Sequence, residues 1–285
     1  MRILLCKARG NNLIIKDDKQ FNIFPSHVEL RKYILYYNIV FPVNDTFMAN
    51  YTLMPNACGT LSLAFDGTAV IAELWGACLT PVLLGMEPNS YHVLLLIQLS
   101  PYGLYQITRQ SQAEFADKRL PLAEIDNELF HSLHRAFIAS KTITGLINTC
   151  ERILHKRMEK QVVSDSLLLA CKVVSDSYGQ VQVKEVARQS GYSERQLNRL
   201  FLTQIGMNIK NYVRLTRFNY VLKHIQTSPC FFAALSQQAG YFDQAHFDKD
   251  FKAISGVSPK NYLKTMSDFY YDGTEIYDTV SSKED

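Results

Sequence analysis

The sequence predicts an α+β chain in two unequal parts: a mostly-β N-terminal domain with trailing helices, then an all-α C-terminal domain built from two helix-turn-helix units. Three observations predict it. Residues 1 to about 120 carry apolar and aromatic runs of strand length, broken by Pro and Asp-Gly. From Asn127 onward the apolar residues follow helical spacing. Between residues 187 and 262 the chain repeats itself once.

Length and composition agree. The chain has 285 residues, where one domain usually takes ~100–200. With 47% hydrophobic and 20% charged residues it can bury a core, which excludes a wholly disordered chain. The longest tight apolar run, 93–97, is five residues, where a membrane-spanning helix needs ~20. Before Lys7 stand four apolar residues, short of the ~7–15 of a signal-peptide core. The expectation is a cytoplasmic protein with no membrane partner. Six cysteines, at 6, 58, 78, 150, 171 and 230, include no pair closer than twenty residues. No CxxC knuckle or redox pair exists, and free thiols packed as small hydrophobes are expected.

Taken in order, residues 33–41 are aromatic and branched and are closed by Pro42. Residues 60–65 and 68–75 flank Asp66-Gly67, a hairpin signal suited to a type I′ turn. A further strand, 92–100, ends at Pro101. Ser111-x-x-Glu114 reads as a capping box where the pattern turns helical. Helices are expected over 127–139 and 142–160. The second sets Ile143, Leu146, Ile147, Cys150, Ile153 and Leu154 on one stripe suited to packing or dimerisation. The expected division is a regulatory domain at 1–125, a helical linker or dimerisation region at 126–162, and a C-terminal domain at 163–265 with units at 183–204 and 231–255. The last twenty residues, 266–285, hold one Lys and six acids and are expected to be a disordered tail; the alternative is a shield for a basic face.

Charge is uneven. Residues 181–265 hold 12 basic and 5 acidic side chains, a net of +7, while the first 180 carry a net of only +1. A basic segment beside a near-neutral one suggests a polyanion-binding module attached to something else.

The repeat sharpens this. One copy reads Ala187-Arg-Gln-Ser-Gly191-Tyr-Ser-Glu-Arg-Gln-Leu-Asn-Arg-Leu-Phe201, then Gly206 and Lys210-Asn-Tyr212. The other reads Ser236-Gln-Gln-Ala-Gly240-Tyr-Phe-Asp-Gln-Ala-His-Phe-Asp-Lys-Asp-Phe251, then Gly256 and Lys260-Asn-Tyr262. The Gly-Tyr pairs lie 49 apart and the later matches 50 apart, so the second turn holds one extra residue. In each copy a helix ends at Gly, which turns the chain, and a capped helix follows: Ser193 with Gln196 forms a capping box, and Asp243 is the second N-cap.

In the first copy's second helix Leu197, Leu200 and Phe201 share one side, and Arg195, Asn198, Arg199 and Leu202 the other. Arg can grip guanine O6/N7 with two bonds and Asn can grip adenine likewise, so this face suits a DNA major groove. An ordinary amphipathic surface helix is the alternative, and the duplication weighs against it. In the second copy Phe247, Phe251 and Ile254 face in, and Gln244, Ala245, Asp248, Lys249 and Lys252 face out. The first unit is expected to carry more base discrimination, the second more backbone anchoring. Between them, residues 208–226 form an expected rod with a basic stripe of Lys210, Arg214 and Arg217. A helix of ~18 residues spans ~27 Å, and successive major grooves on one DNA face are ~34 Å apart. One polypeptide would then read two adjacent major grooves.

These residues resemble the DNA-binding domain of the AraC/XylS family of bacterial transcription regulators over 164–265. The most specific stretch is Gly240-Tyr-Phe-Asp-Gln-Ala-His-Phe-Asp-Lys-Asp-Phe-Lys252 followed by Gly256-Val-Ser-Pro259. The resemblance implies seven helices and base contacts at Arg195, Asn198, Arg199, Gln244, Asp248 and Lys249. Phosphate contacts are expected at Ser193, Lys210, Arg214, Lys252 and Lys260. It also implies RNA polymerase as a partner and activation as the commoner outcome. Two positions depart: Lys249 where Arg is commoner, and Asp250 where many members have an apolar residue. Upstream, Leu53-Met-Pro-Asn-Ala-Cys-Gly-Thr-Leu-Ser-Leu63 and Leu99-Ser-Pro-Tyr-Gly103 are similar to a domain that precedes the module in a subset of the family. Such sensor-like domains bind a small effector, form a homodimer, or both.

An enzyme with an appended nucleic-acid domain is the competing class, and a nucleoid binder without sequence choice a third. Glu128-x-x-His131 with His134 has metal-ligand helix spacing, but the second motif a di-metal bundle needs is missing. No GxSxG elbow, phosphate loop or cupin His-x-His occurs. Trp75, among Tyr and Phe residues, reads as core, with a ligand cage as the alternative. No catalytic residue, metal or cofactor is expected.

Overall fold

Alternating apolar residues in strands and stripes at helical spacing can each be buried only by packing one layer on another, and that demand organises both parts of the chain. In the computed structural model, residues 21–42, 47, 49–160, 162–227 and 232–265 are described. Cys6, Cys230 and the acidic tail lie outside them.

The N-terminal part is a six-stranded antiparallel sheet. Its strands are β1 (Phe21–Pro25), β2 (Ile34–Val40), β4 (Thr60–Phe65), β5 (Val70–Trp75), β7 (Val93–Leu99) and β8 (Arg119–Pro121). They lie in the order β1-β2-β7-β4-β5-β8. Two short strands, β3 (Thr52–Leu53) and β6 (Val82–Leu83), pair separately. Tyr37 and Ile39 of β2, Leu61 and Leu63 of β4, Leu74 of β5 and Leu95 and Ile97 of β7 are all buried in one core. α1 (Gly103–Thr108), α2 (Leu122–Ile125), α3 (Asn127–Ala139) and α4 (Ile143–Met158) contribute to that core. Asp126 caps α3 by accepting from Leu129 N at 2.9 Å, and Thr142 caps α4 by accepting from Gly145 N at 3.0 Å.

Two local expectations change. The β4–β5 loop is not a two-residue type I′ turn. Phe65 pairs with Val70, leaving four loop residues, of which Gly67 alone has positive φ. Asp66 Oδ1 instead accepts from Ala69 N, Thr68 N and the Thr68 hydroxyl at 2.7–2.8 Å, which stabilises the longer loop and holds its carboxyl down at about 2. Ser111 also makes no side-chain cap, and only a single 3₁₀ turn, Gln112–Glu114, follows it. Asp117, at φ 55°, bends the chain there. Its carboxylate accepts from Leu79 N at 2.6 Å, and this brings β8 alongside β5.

The opposite sheet face is more polar. Trp75 is half-buried; its Nε1 donates to the Ser62 hydroxyl at 3.1 Å, and the Arg119 guanidinium lies 4.7 Å from its ring centre. Arg119 is paired with Glu73 and Glu87, each at 2.6 Å. Asn38 on this face is 8% exposed, and its Oδ1 has no hydrogen-bond partner among the described residues. Glu128 pairs with Arg157, and His131 and His134 pack on Phe130. Among the described residues no three His, Cys, Asp or Glu form a metal-holding group. Cys150 and Cys171 are buried free thiols, and burial pushes both up to about 12.

The C-terminal part is all-helical: α5 (Asp165–Asp176), α6 (Val183–Ser190), α7 (Glu194–Gln204), α8 (Ile209–Thr227), α9 (Phe232–Gln238), α10 (Gln244–Ser255) and α11 (Pro259–Thr265). Among the described residues these are seven helices, the number the resemblance implies. No helix among the described residues is long and apolar enough to cross a membrane.

One apolar cluster includes residues of both parts, so they share a core. Gln106 of α1, fully buried, donates to Lys160 O at 2.8 Å and Met158 O at 3.3 Å and accepts from Val162 N at 3.0 Å. It thereby fixes the chain entering the helical domain. Gln106→Ala would leave buried backbone groups unpaired and is expected to lower stability by about 1–2 kcal/mol. Urea unfolding of the full chain measures this; an unchanged midpoint would show that Gln106 adds nothing. Gly206, at φ 91°, sits against the Gln112 turn, where a Cβ would lie 2.8 Å from the Gln112 carbonyl oxygen.

Candidate nucleic-acid interface

The first unit forms as its residues dictate. Gly191, at φ 74°, ends α6 in the left-handed conformation that glycine adopts without penalty. The capping box closes both ways: Ser193 Oγ accepts from Gln196 N at 3.3 Å, and Gln196 Oε1 accepts from Ser193 N at 3.0 Å. Leu197 and Phe201 are fully buried, and that fixes the rotation of α7 about its axis. Arg195 and Arg199 are exposed and Asn198 half-exposed on the other side.

The second unit is built alike. Gly240 turns the chain at φ 72°, and Asp243 caps α10 by accepting from His246 N at 2.7 Å. Phe247, Phe251 and Ile254 are buried; Gln244, Lys249 and Lys252 are exposed. Asp248 is half-buried, and that burial raises its carboxyl above the usual range.

α8 joins the units, with Ile209, Tyr212, Phe218 and Ile225 in the core. The basic stripe expected along it is divided. Lys210 is exposed. Arg214, the expected phosphate contact, donates its Nε to Asp250 Oδ1 at 2.5 Å and remains 40% exposed, so its charge is shared with an acid of the domain. Arg217 donates twice to Gly179 O, at 3.0 and 2.7 Å, and its guanidinium lies 5.4 Å from the Tyr241 ring centre. Tyr241 in turn donates its hydroxyl to Asp250 Oδ2 at 3.0 Å. A continuous polar chain thus runs from the loop before α6, through α8, to α10, and fixes the two units against the rod.

Sequence reasoning missed this chain, but a signal existed. In the repeat, Asp250 stands where the first copy has Leu200. An acid at a position whose twin faces the core needs a partner, and Arg214 supplies it. The remaining expected phosphate contacts are mixed. Lys252 and Lys260 are exposed, whereas the Ser193 hydroxyl already donates to Gln196 Oε1 at 2.8 Å.

A comparison with known protein families falls on the same region. Residues 186–265 match the helix-turn-helix domain family. The HTH-type transcriptional activator AarP of Providencia stuartii is 26% identical over 108 residues, 38% of this chain and 78% of that protein. The Msm operon regulatory protein of Streptococcus mutans is 29% identical over 99 residues, 33% of this chain and 34% of its own length. A solved structure of ToxT from Vibrio cholerae covers 87% of this chain and 100% of its own at 13% identity, with a TM-score of 0.40. The matched stretch spans most of the first relative and about a third of the second. Residues 186–265 are therefore a helix-turn-helix domain, similar in sequence to parts of bacterial transcription regulators.

Proposed function

We propose that the whole chain is a cytoplasmic, sequence-specific DNA-binding regulator in which one polypeptide occupies two adjacent major grooves. The observation that carries this reading is the pairing of two exposed polar ridges, on α7 and α10, with a rod that holds the loop before α6 through Arg217 and holds α10 through the Arg214–Asp250 ion pair. Arg195, Asn198 and Arg199 read base edges in one groove; Gln244, Asp248 and Lys249 face the other. Lys210, Lys252 and Lys260 hold phosphates and set register. The bound regulator acts by activation through RNA polymerase.

The N-terminal domain modulates occupancy. Its polar sheet face offers the buried Asn38 Oδ1, without a partner among the described residues, as an acceptor for a small effector carrying a donor group. Its junction with the helical domain, through Gln106 and the Gln112–Gly206 contact, gives an effector a mechanical route to α7. The stripe along α4 is buried in the shared core, so it serves packing within the chain rather than dimerisation. The chain works as a regulator rather than a catalyst.

Binding of full-length protein to duplexes across a salt series tests the reading. Affinity is expected to fall with a log–log slope of about −0.9 per phosphate contacted, so three lysine contacts give at least about −2.7. A salt-insensitive complex would contradict it.

A further inference from the structure

The two units differ by one inserted residue, and the caps identify it. The N-caps Ser193 and Asp243 lie 50 apart, whereas Tyr192 and Tyr241 lie 49 apart. The extra residue is Phe242. It is 91% exposed, the most exposed large apolar side chain among the described residues.

A residue directly before an N-cap commonly packs on the fourth residue of the helix, as a hydrophobic staple. In α10 that fourth residue is Phe247. The slot is already taken: the insertion sets Tyr241 one place further back, yet Tyr241 is buried and its ring lies 5.4 Å from that of Phe247. Phe242 is left outside. Its neighbours are fixed, Tyr241 by Asp250 and Asp243 by its cap on His246, so Phe242 stands on a rigid turn at the leading end of the second recognition helix.

We propose that Phe242 is a specificity-determining residue that packs on the C5-methyl group of a thymine in the second major groove. This rests on the reading of α10 as a recognition helix. The N-terminal residues of such a helix are the ones that approach base edges, and an apolar side chain distinguishes thymine by its methyl group. The position two residues before Gln244, at the leading end of α10, favours DNA over a protein partner as the occupant.

The test uses full-length protein and a duplex obtained by selection. Each thymine of the second half-site is replaced in turn by deoxyuridine, which pairs identically but lacks the methyl. At one position the loss is expected to weaken wild-type binding about fourfold, the value of one buried methyl, and to leave Phe242→Ala unaffected. Because Phe242 is exposed, the variant should unfold at the wild-type temperature. Selective binding with no methyl position that separates the two proteins would overturn the contact while leaving the DNA-binding reading intact. The same holds if Phe242→Ala binds as wild type but fails to activate transcription, which would point to a protein partner. Failure of the wild-type chain to bind any duplex selectively would overturn both.

Discussion

Arg199→Ala is expected to weaken binding to the chain's preferred duplex about fivefold to 150-fold, about 1–3 kcal/mol, and to relax selectivity at one base pair. The capping box at Ser193 fixes where α7 begins, and Leu197 and Phe201, both fully buried, fix how it is turned. Arg199 is left exposed with no ion-pair partner among the described residues, so its truncation costs the fold little. Lys249→Ala serves as the contrast. The ammonium is a point charge without the planar fork of Arg, so its loss should weaken all duplexes alike and reduce the salt slope by about 1. Binding assays on a panel of single-base variants separate the two outcomes. Equal loss of selectivity from both substitutions would reject the asymmetry between the units.

The second large effect is structural. Asp250→Ala removes the acceptor shared by Arg214 and Tyr241 while the Arg214 charge and the Tyr241 hydroxyl remain. Removing one member of a fully buried pair costs about 3–5 kcal/mol; Arg214 is 40% exposed, which reduces the expected loss to about 2–3 kcal/mol. Chemical unfolding of the full chain measures it. Because the lost contacts also hold α10 against the rod, binding to a duplex with both half-sites should fall further than binding to the first half-site alone. Unchanged stability, or equal loss on both duplexes, would show that Asp250 does not orient the second unit.

The parts of this fold that were legible in the sequence are those decided locally. Helix starts followed from side chains that reach their own backbone, as at Ser193 and Asp243, and the helix over Asn127–Ala139 followed from apolar spacing. The hairpin followed from two branched runs around Asp66-Gly67. What escaped depended on partners distant in sequence. Asp66 could cap a longer loop as readily as enter a two-residue turn, and its hydrogen bonds to Thr68 and Ala69 settled the matter. Ser111 matched a capping box, but Asp117 reached Leu79 and turned that segment into a sheet edge. The candidate interface divided in the same way. Periodicity identified the faces of α7 and α10, because burial on one side leaves the other in solvent. Periodicity could not say which arginines of α8 remained available, because Asp250 and the carbonyl of Gly179 lie 36 and 38 residues from their partners.

Selection of bound sequences from random DNA with full-length protein, combined with a count of chains per bound duplex, tests the central claim most directly. The account predicts a bipartite motif whose halves are centred ~10–10.5 base pairs apart, occupied by one chain. A motif with a single half, or two halves that each require their own copy of the protein, would contradict it.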